Sequence, residues 1–279
     1  MFYTTLYPNM ITTYYYQSFV GLHKLLDHVQ DIDVINISSI HFDENKEGIK
    51  NIYLNDNLPN DPLFDQMWLE TESAEAQGTC IMLMMGGAGG AYTNLFKEFD
   101  TYYPLLRKLL QDKSFIKGID IDVEEEVTLD NVKSLIRLLK YDMGSDFLIT
   151  MAPVSESMIA DGSGMGGFSY KELYHSYEGS LINWFNVQCY NSFSYETYDQ
   201  IIKNGYPPEK IVMGMESGQF DKTTFQGALD EVKTTLDHYP TMAGVYDWEY
   251  LNAPPDEHDP SAWAKLMKRQ YTIYSDELG

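Results

Sequence analysis

At 279 residues, with 44% hydrophobic side chains, the chain is long for one ordinary domain and has the material for a full core. Its net charge of −23 at pH 7 and pI near 4.4 argue against nucleic acid and anionic membrane surfaces as partners, because an acidic surface repels phosphate. The two cysteines, Cys80 and Cys189, sit inside apolar runs, so buried thiols are expected and a disulfide framework is not what holds the fold.

The opening "MFYTTLYPNMITTYYYQSF" has no basic leader followed by a clean apolar stretch, and no run reaches the ~18 apolar residues that span a bilayer. A soluble chain without signal peptide or membrane span is expected. The first strand-like run is 10–19 ("MITTYYYQSF") and the second 33–42 ("DVINISSIHF"), followed by a long excursion over 43–78. The third is 80–87 ("CIMLMMGG") and the fourth 115–124 ("FIKGIDIDVE"). Thr128 then caps a helix in which Leu129, Val132, Ile136 and Leu139 follow the 3.6-residue period.

The fifth run is 147–154 ("FLITMAPV"), and the glycine-rich 161–168 ("DGSGMGGF") after it reads as a mobile loop. The sixth is 182–191 ("INWFNVQCYN") and the seventh 210–217 ("KIVMGMES"). Phe225, Ala228, Leu229, Val232 and Leu236 mark another helix, and the eighth run is 243–250 ("AGVYDWEY"). The acidic 254–263 leads into a last helix through Asp259 or Ser261. Strands alternating with helices predict parallel pairing, and this number of units in one uninterrupted chain predicts a single closed (β/α)8 barrel, a TIM barrel, spanning 1–279.

The fourth run carries the chemistry. Residues two apart on a strand share a face, so Asp120, Asp122 and Glu124 point one way and Ile119, Ile121 and Val123 the other. In a barrel the apolar set meets the helices and the acids face inward. Carboxylates ~6–7 Å apart in a poorly solvated interior cannot all ionise, so at least one keeps its proton to higher pH, which is the condition for a general acid. A solvated strand face is the plain alternative, and a divalent-metal site is another, since D-x-D-x-E supplies oxygen ligands. For a metal nothing else clusters: His23 and His28, on a predicted helix, miss the four-residue spacing of paired ligands. No metal or cofactor is expected. A phosphate loop at "GGAGG" (86–90) lacks the G-K-[ST] that such loops need.

"GIDIDVE" resembles the D-G-x-D-x-D-x-E strand of family 18 glycoside hydrolases. "MMGGAGG" (84–90) is similar to that family's S-x-G-G, "TMAP" (150–153) to its M-A-P, "VQCYN" (187–191) to its Q-x-Y-N, and "GVYDWEY" (244–250) to its last strand with a Trp. The resemblance covers roughly residues 10–270, with the motifs in family order. It implies retaining, substrate-assisted hydrolysis of β-1,4 bonds next to N-acetylglucosamine. Glu124 is then the acid/base, Asp122 holds the acetamido N–H, Asp120 tunes Asp122, and the Tyr190 hydroxyl donates to the acetamido oxygen. Trp248 forms the floor under the sugar. Gln188, Asn191, Met151, Gly87, Tyr16 and Phe42 complete the expected substrate contacts, although Gly86 and Gly87 read better as room for the chain to pass the catalytic strand.

Three positions depart from the family pattern. Lys117 stands where the family has its first Asp, Met84 where it has Ser, and Cys189 where an aromatic is common. Lys117 either lies at the barrel bottom or pairs with Asp120; Met84 leaves Asp120 without an evident partner. The stretch 218–242 between the seventh and eighth strands has no room for the extra α+β insertion of deep-cleft members, so an open groove is expected. That points to a monomeric endo-acting chitinase on N-acetylglucosamine-containing oligo- or polysaccharide. An endo-β-N-acetylglucosaminidase of N-glycan cores is the alternative, and a non-catalytic chitin-binding lectin is the alternative of another class.

Overall fold

Short β-branched and apolar runs become strands, and the 3.6-periodic segments between them carry the chain back to start each next strand in parallel. The computed structural model describes residues 10–256 and 258–278. Its strands are β1 Ile11–Tyr16, β2 Val34–Glu44, β3 Lys50–Leu54, β4 Cys80–Gly86, β5 Ile116–Asp122, β6 Leu148–Met151, β7 Trp184–Gln188, β8 Ile211–Glu216 and β9 Gly244–Trp248. Parallel pairing runs β1-β9-β8-β7-β6-β5-β4-β2, and β1 also pairs with β2, which closes eight strands into a barrel. Seven of the eight runs read from the sequence contain a whole barrel strand, and the run 33–42 holds all of β2 but its last two residues, Asp43 and Glu44.

The ninth strand, β3, lies inside the 43–78 excursion and pairs antiparallel with the end of β2, Phe42 opposite Ile52. Its turn is built by Asn45, whose Oδ1 accepts from the amides of Glu47 (3.0 Å) and Ile49 (2.9 Å), with Gly48 at φ +77°. The same excursion holds the helix Asp65–Ala76. It is therefore an ordered β-hairpin and helix, where the sequence reading saw only a long connection.

Two other expectations change. The helix holding His23 spans only His23–Leu26, so His28 is not on it. The glycine-rich 161–168 segment follows a short helix, Ser155–Ile159, and folds into a tight turn in which the Gly164 N–H donates to the Phe168 carbonyl (3.1 Å). The Val127 amide donates to the Gly166 carbonyl (2.9 Å), which ties the turn to the loop after β5.

Helix Leu129–Met143 starts where predicted. The Asn131 amide donates to Thr128 Oγ1 (3.2 Å), a cap worth about 1 kcal/mol, and Gly144 at φ +97° ends it. Its Val132, Leu135, Ile136 and Leu139 pack in the layer between helices and barrel, with Ile119, Ile121 and Val123. A separate apolar cluster fills the barrel itself: Ile11, Tyr15, Val34, Met82, Met84, Leu148, Trp184, Val212 and Tyr246, with Cys80. Between β8 and β9 stand only a single 3-10 turn and the helix Phe225–His238, so no second α+β unit rises over the mouth. Among the described residues no helix is long and apolar enough to cross a membrane.

Candidate active site

Strict alternation along β5 turns Gly118, Asp120 and Asp122 into the barrel. Gly118 leaves room there: a Cβ on it would come within 2.6 Å of Leu148 Cβ. Asp120 is fully buried and accepts three hydrogen bonds, from Tyr15 Oη (2.6 Å), Thr150 Oγ1 (2.5 Å) and Asn186 Nδ2 (3.0 Å). Trp184 Nε1 donates to Asn186 Oδ1 (2.9 Å), which fixes the amide with its nitrogen toward Asp120. Burial pushes the Asp120 carboxyl up, and the bonds from Thr150, Tyr15 and Asn186 pull it part of the way back.

Asp122, 5% exposed, closes β5, and Glu124 lies two residues past the strand end, half-buried. Gln188 Nε2 spans the pair, 3.2 Å from Asp122 Oδ1 and 3.3 Å from Glu124 Oε1, and donates to the Ala152 carbonyl at 2.9 Å. A carbonyl can only accept, so the nitrogen of the Gln188 amide faces both acids. A neutral N–H donor held between the two carboxyls ties their positions together. Asp122 is raised well above the ordinary 3.8, first by burial, then by the charges of Glu124 and Asp120, and by its hydrogen bond with Glu124.

Gly86 and Gly87 bring β4's exit against this column. Gly86, at φ +98°, could carry no Cβ, which would meet the Asp122 carbonyl at 2.2 Å; the Gly87 amide donates to that carbonyl (3.0 Å). A Cβ on Gly87 would meet Met84 Cε at 2.8 Å, with Asp122 Oδ2 at 3.5 Å. Tyr190 and Trp248 stand half-buried at the mouth; Trp248 packs on Tyr15, ring centres 5.2 Å apart. Asn191 is exposed in the next turn, in the left-handed region at φ +58°. Beside Trp248, an open recess of about 670 Å³ is lined by residues including Gln17, His41, Asp43, Asn55 and Glu249.

Three sequence candidates are elsewhere. Tyr16 points out of the barrel, fully buried against Phe19 and Tyr250, its hydroxyl accepting from the Gly21 amide (2.9 Å). Phe42 packs on Tyr102 of the helix Phe99–Asp112, ring centres 5.5 Å apart. Met151 has the parity opposite to Thr150 and is fully buried in the helix-facing layer. None of these three faces the mouth. Conversely, Tyr15, Thr150, Asn186 and Tyr246 face the barrel interior and were not singled out from the sequence, though Asn186 shares the parity of Gln188 on one strand.

The departures also find their places. Lys117 is exposed at the start of β5, its Nζ 3.1 Å from Glu75 Oε1 and donating to the Ser114 carbonyl (3.2 Å). It has no contact with Asp120. Lys117→Ala is expected to leave kcat and KM within about twofold of wild type, since exposed ion pairs contribute little; a loss of about tenfold in a steady-state assay would return the ammonium to the chemistry. Met84 is interior and pairs in register with Asp120, whose partners are Tyr15, Thr150 and Asn186. Cys189 is buried outside the barrel, its thiol pushed up to about 12 by burial. Glu125 faces away from the column and accepts from the amides of Ala91, Tyr92 and Thr93, the last at 3.0 Å. Burial would raise its carboxyl, but those donors outweigh it and hold it low.

No protein-family model and no curated protein matches the chain. Solved structures do. A fungal endo-β-N-acetylglucosaminidase from glycosyl hydrolase family 18 matches with TM-score 0.81 and 28% identity, over 94% of this chain and 98% of its own. The chitinase ChiC from Aspergillus fumigatus matches with TM-score 0.79 and 28% identity, over 97% of this chain and 100% of its own. A family 18 chitinase from Pseudoalteromonas aurantia, at 19% identity and TM-score 0.70 over 93% of this chain and 99% of its own, shares the fold. Five motifs stand in family order on β4, β5, β6, β7 and β9 of the same barrel, and over nearly the whole of both chains the protein is similar to the enzymes of glycoside hydrolase family 18.

Proposed function

We propose that this glycoside hydrolase is an endo-acting chitinase, cutting β-1,4 bonds next to N-acetylglucosamine with retention and with the substrate's own acetamido group as nucleophile. The observation that carries the reading is the Asp122–Glu124 pair spanned by the Gln188 amide. Burial and the neighbouring acids raise the Asp122 carboxyl, so in the free enzyme it holds a proton more readily than an ordinary carboxyl, and it is hydrogen-bonded to Glu124. When a sugar lies on Trp248, that proton passes to Glu124, which gives it to the leaving glycosidic oxygen. Asp122, now charged, accepts the acetamido N–H and turns the carbonyl oxygen to the anomeric carbon. Attack of that oxygen breaks the glycosidic bond and forms an oxazolinium ion, to which Tyr190 donates at the former carbonyl oxygen. Water, deprotonated by Glu124, opens the ring from the other face, and two inversions give net retention.

Holding the acetamido oxygen beside the anomeric carbon gains the advantage of an intramolecular attack, up to about 7–11 kcal/mol in well-oriented cases. Negative charge next to the developing cation adds electrostatic stabilisation. The uncovered mouth favours internal cleavage of a chain over threading from one end. Substrate choice is where a second reading has support: the similarity to the fungal endo-β-N-acetylglucosaminidase is as strong in identity as that to ChiC. Incubation with chitooligosaccharides of defined length and with a high-mannose glycoprotein tests both. Internal cleavage of the oligosaccharides is expected; no release from them, together with deglycosylation of the glycoprotein, replaces the chitinase reading by the other.

A further inference from the structure

We infer that Tyr246 is a positioning residue for the reaction: its hydroxyl donates to Tyr190 and thereby aims the Tyr190 proton at the sugar's acetamido oxygen. The inference rests on the function proposed above. Tyr246 is fully buried on the inner face of β9, edge-on to Tyr15 with ring centres 5.0 Å apart and to Tyr190 at 6.4 Å. Its oxygen lies 3.3 Å from the Tyr190 oxygen. A hydroxyl at that depth is out of reach of bulk water, so it depends on this bond. Tyr190 differs in being half-buried at the mouth. Once Tyr246 fills one of its lone pairs, the single Tyr190 proton is left for an acceptor on the open side, where the substrate would lie.

The strand next door has been cleared for this arrangement. Gly214 of β8 pairs in register with Tyr246, and a Cβ on it would sit 1.9 Å from Tyr246 Cζ and 2.4 Å from its Oη. No residue with a side chain fits there while the ring keeps its place. Burial pushes the Tyr190 phenol well up; the bond from Tyr246 pulls it part of the way back and the carboxyls of Asp122, Asp247 and Glu124 add to the rise, so the hydroxyl keeps its proton to give.

The test is a double-mutant cycle with Tyr246→Phe and Tyr190→Phe, both of which keep the rings that pack. Tyr246→Phe alone is expected to lower kcat about tenfold, equivalent to about 1.4 kcal/mol, with KM within about twofold. In the Tyr190→Phe background it should cost nothing further, because the proton it positions is gone. Equal losses in both backgrounds would make Tyr246 a packing residue and overturn the inference, as would an unchanged kcat in Tyr246→Phe. Failure of the cycle alone leaves the proposed function standing. A wild-type protein that turns over none of the N-acetylglucosamine substrates overturns that function, and this inference with it.

Discussion

Replacing Glu124 by Gln is expected to lower kcat by at least about 10²–10⁴-fold while oligosaccharide binding stays within a few-fold of wild type. Glu124 is the carboxyl nearest the mouth, half-buried past the end of β5, and the amide of Gln keeps its shape but cannot deliver a proton to a leaving oxygen. Local structure should survive the change. Gln188 already presents its nitrogen at 3.3 Å from Glu124 Oε1, and the new side chain can offer it an amide oxygen in the same place. Tryptophan fluorescence titration with a chitooligosaccharide reads binding through Trp248, and a steady-state assay reads turnover. Loss of binding in parallel with turnover would make Glu124 an anchor for the sugar. Activity within about tenfold of wild type would move the proton donor to another residue.

The column of acids was legible because "GIDIDVE" alternates without a break, so parity alone sends Asp120 and Asp122 inward. Where alternation is absent, parity could not be read. "TTYYY" offers no polar–apolar contrast, and the inward residue proved to be Tyr15, one position from the expected Tyr16. On β2, counting by twos from Asn36 through Ser38 carries Phe42 inward; the register with β4 shifts between Ile37 and Ile40, and the irregularity turns Phe42 to the helices. Met151 belongs to a four-residue strand apolar on both faces, where only Thr150 betrays the inner side. The β3 hairpin was hidden because its turn is built from an Asn side chain bonding to backbone, with no two-residue glycine turn to mark it. Asp120's partners come from β1, β6 and β7, far apart in sequence, so only closure of the barrel brings them together.

Asp122→Asn is expected to trade activity for stability, with the stability gain growing as pH rises. For catalysis, the variant loses the charge beside the developing oxazolinium and the proton passed to Glu124, for which a fall in kcat of about 10²–10³-fold is the scale. For stability, the Asp122 carboxyl is raised well above its ordinary value of 3.8 because burial and the neighbouring acids penalise its charged form. The folded state therefore holds that proton more tightly than the unfolded chain. Its contribution is fully present below about pH 4 and is lost as pH climbs from there through the raised folded value, since the unfolded state ionises first. Asn never ionises and loses nothing over that interval. Each tenfold difference in proton affinity between the two states corresponds to about 1.4 kcal/mol, and 1 kcal/mol moves Tm by about 2–4 °C at this kind of chain length. Thermal unfolding of both proteins from about pH 4 to about pH 8 should thus show the variant's Tm rising relative to wild type by several degrees, then levelling. Asp120 and Asp247 are raised by burial too, so both proteins keep a residual loss of stability toward high pH. A Tm difference that is flat or shrinks across the interval would mean that Asp122 is already ionised in the fold, and the proton passed to Glu124 would have to be given up.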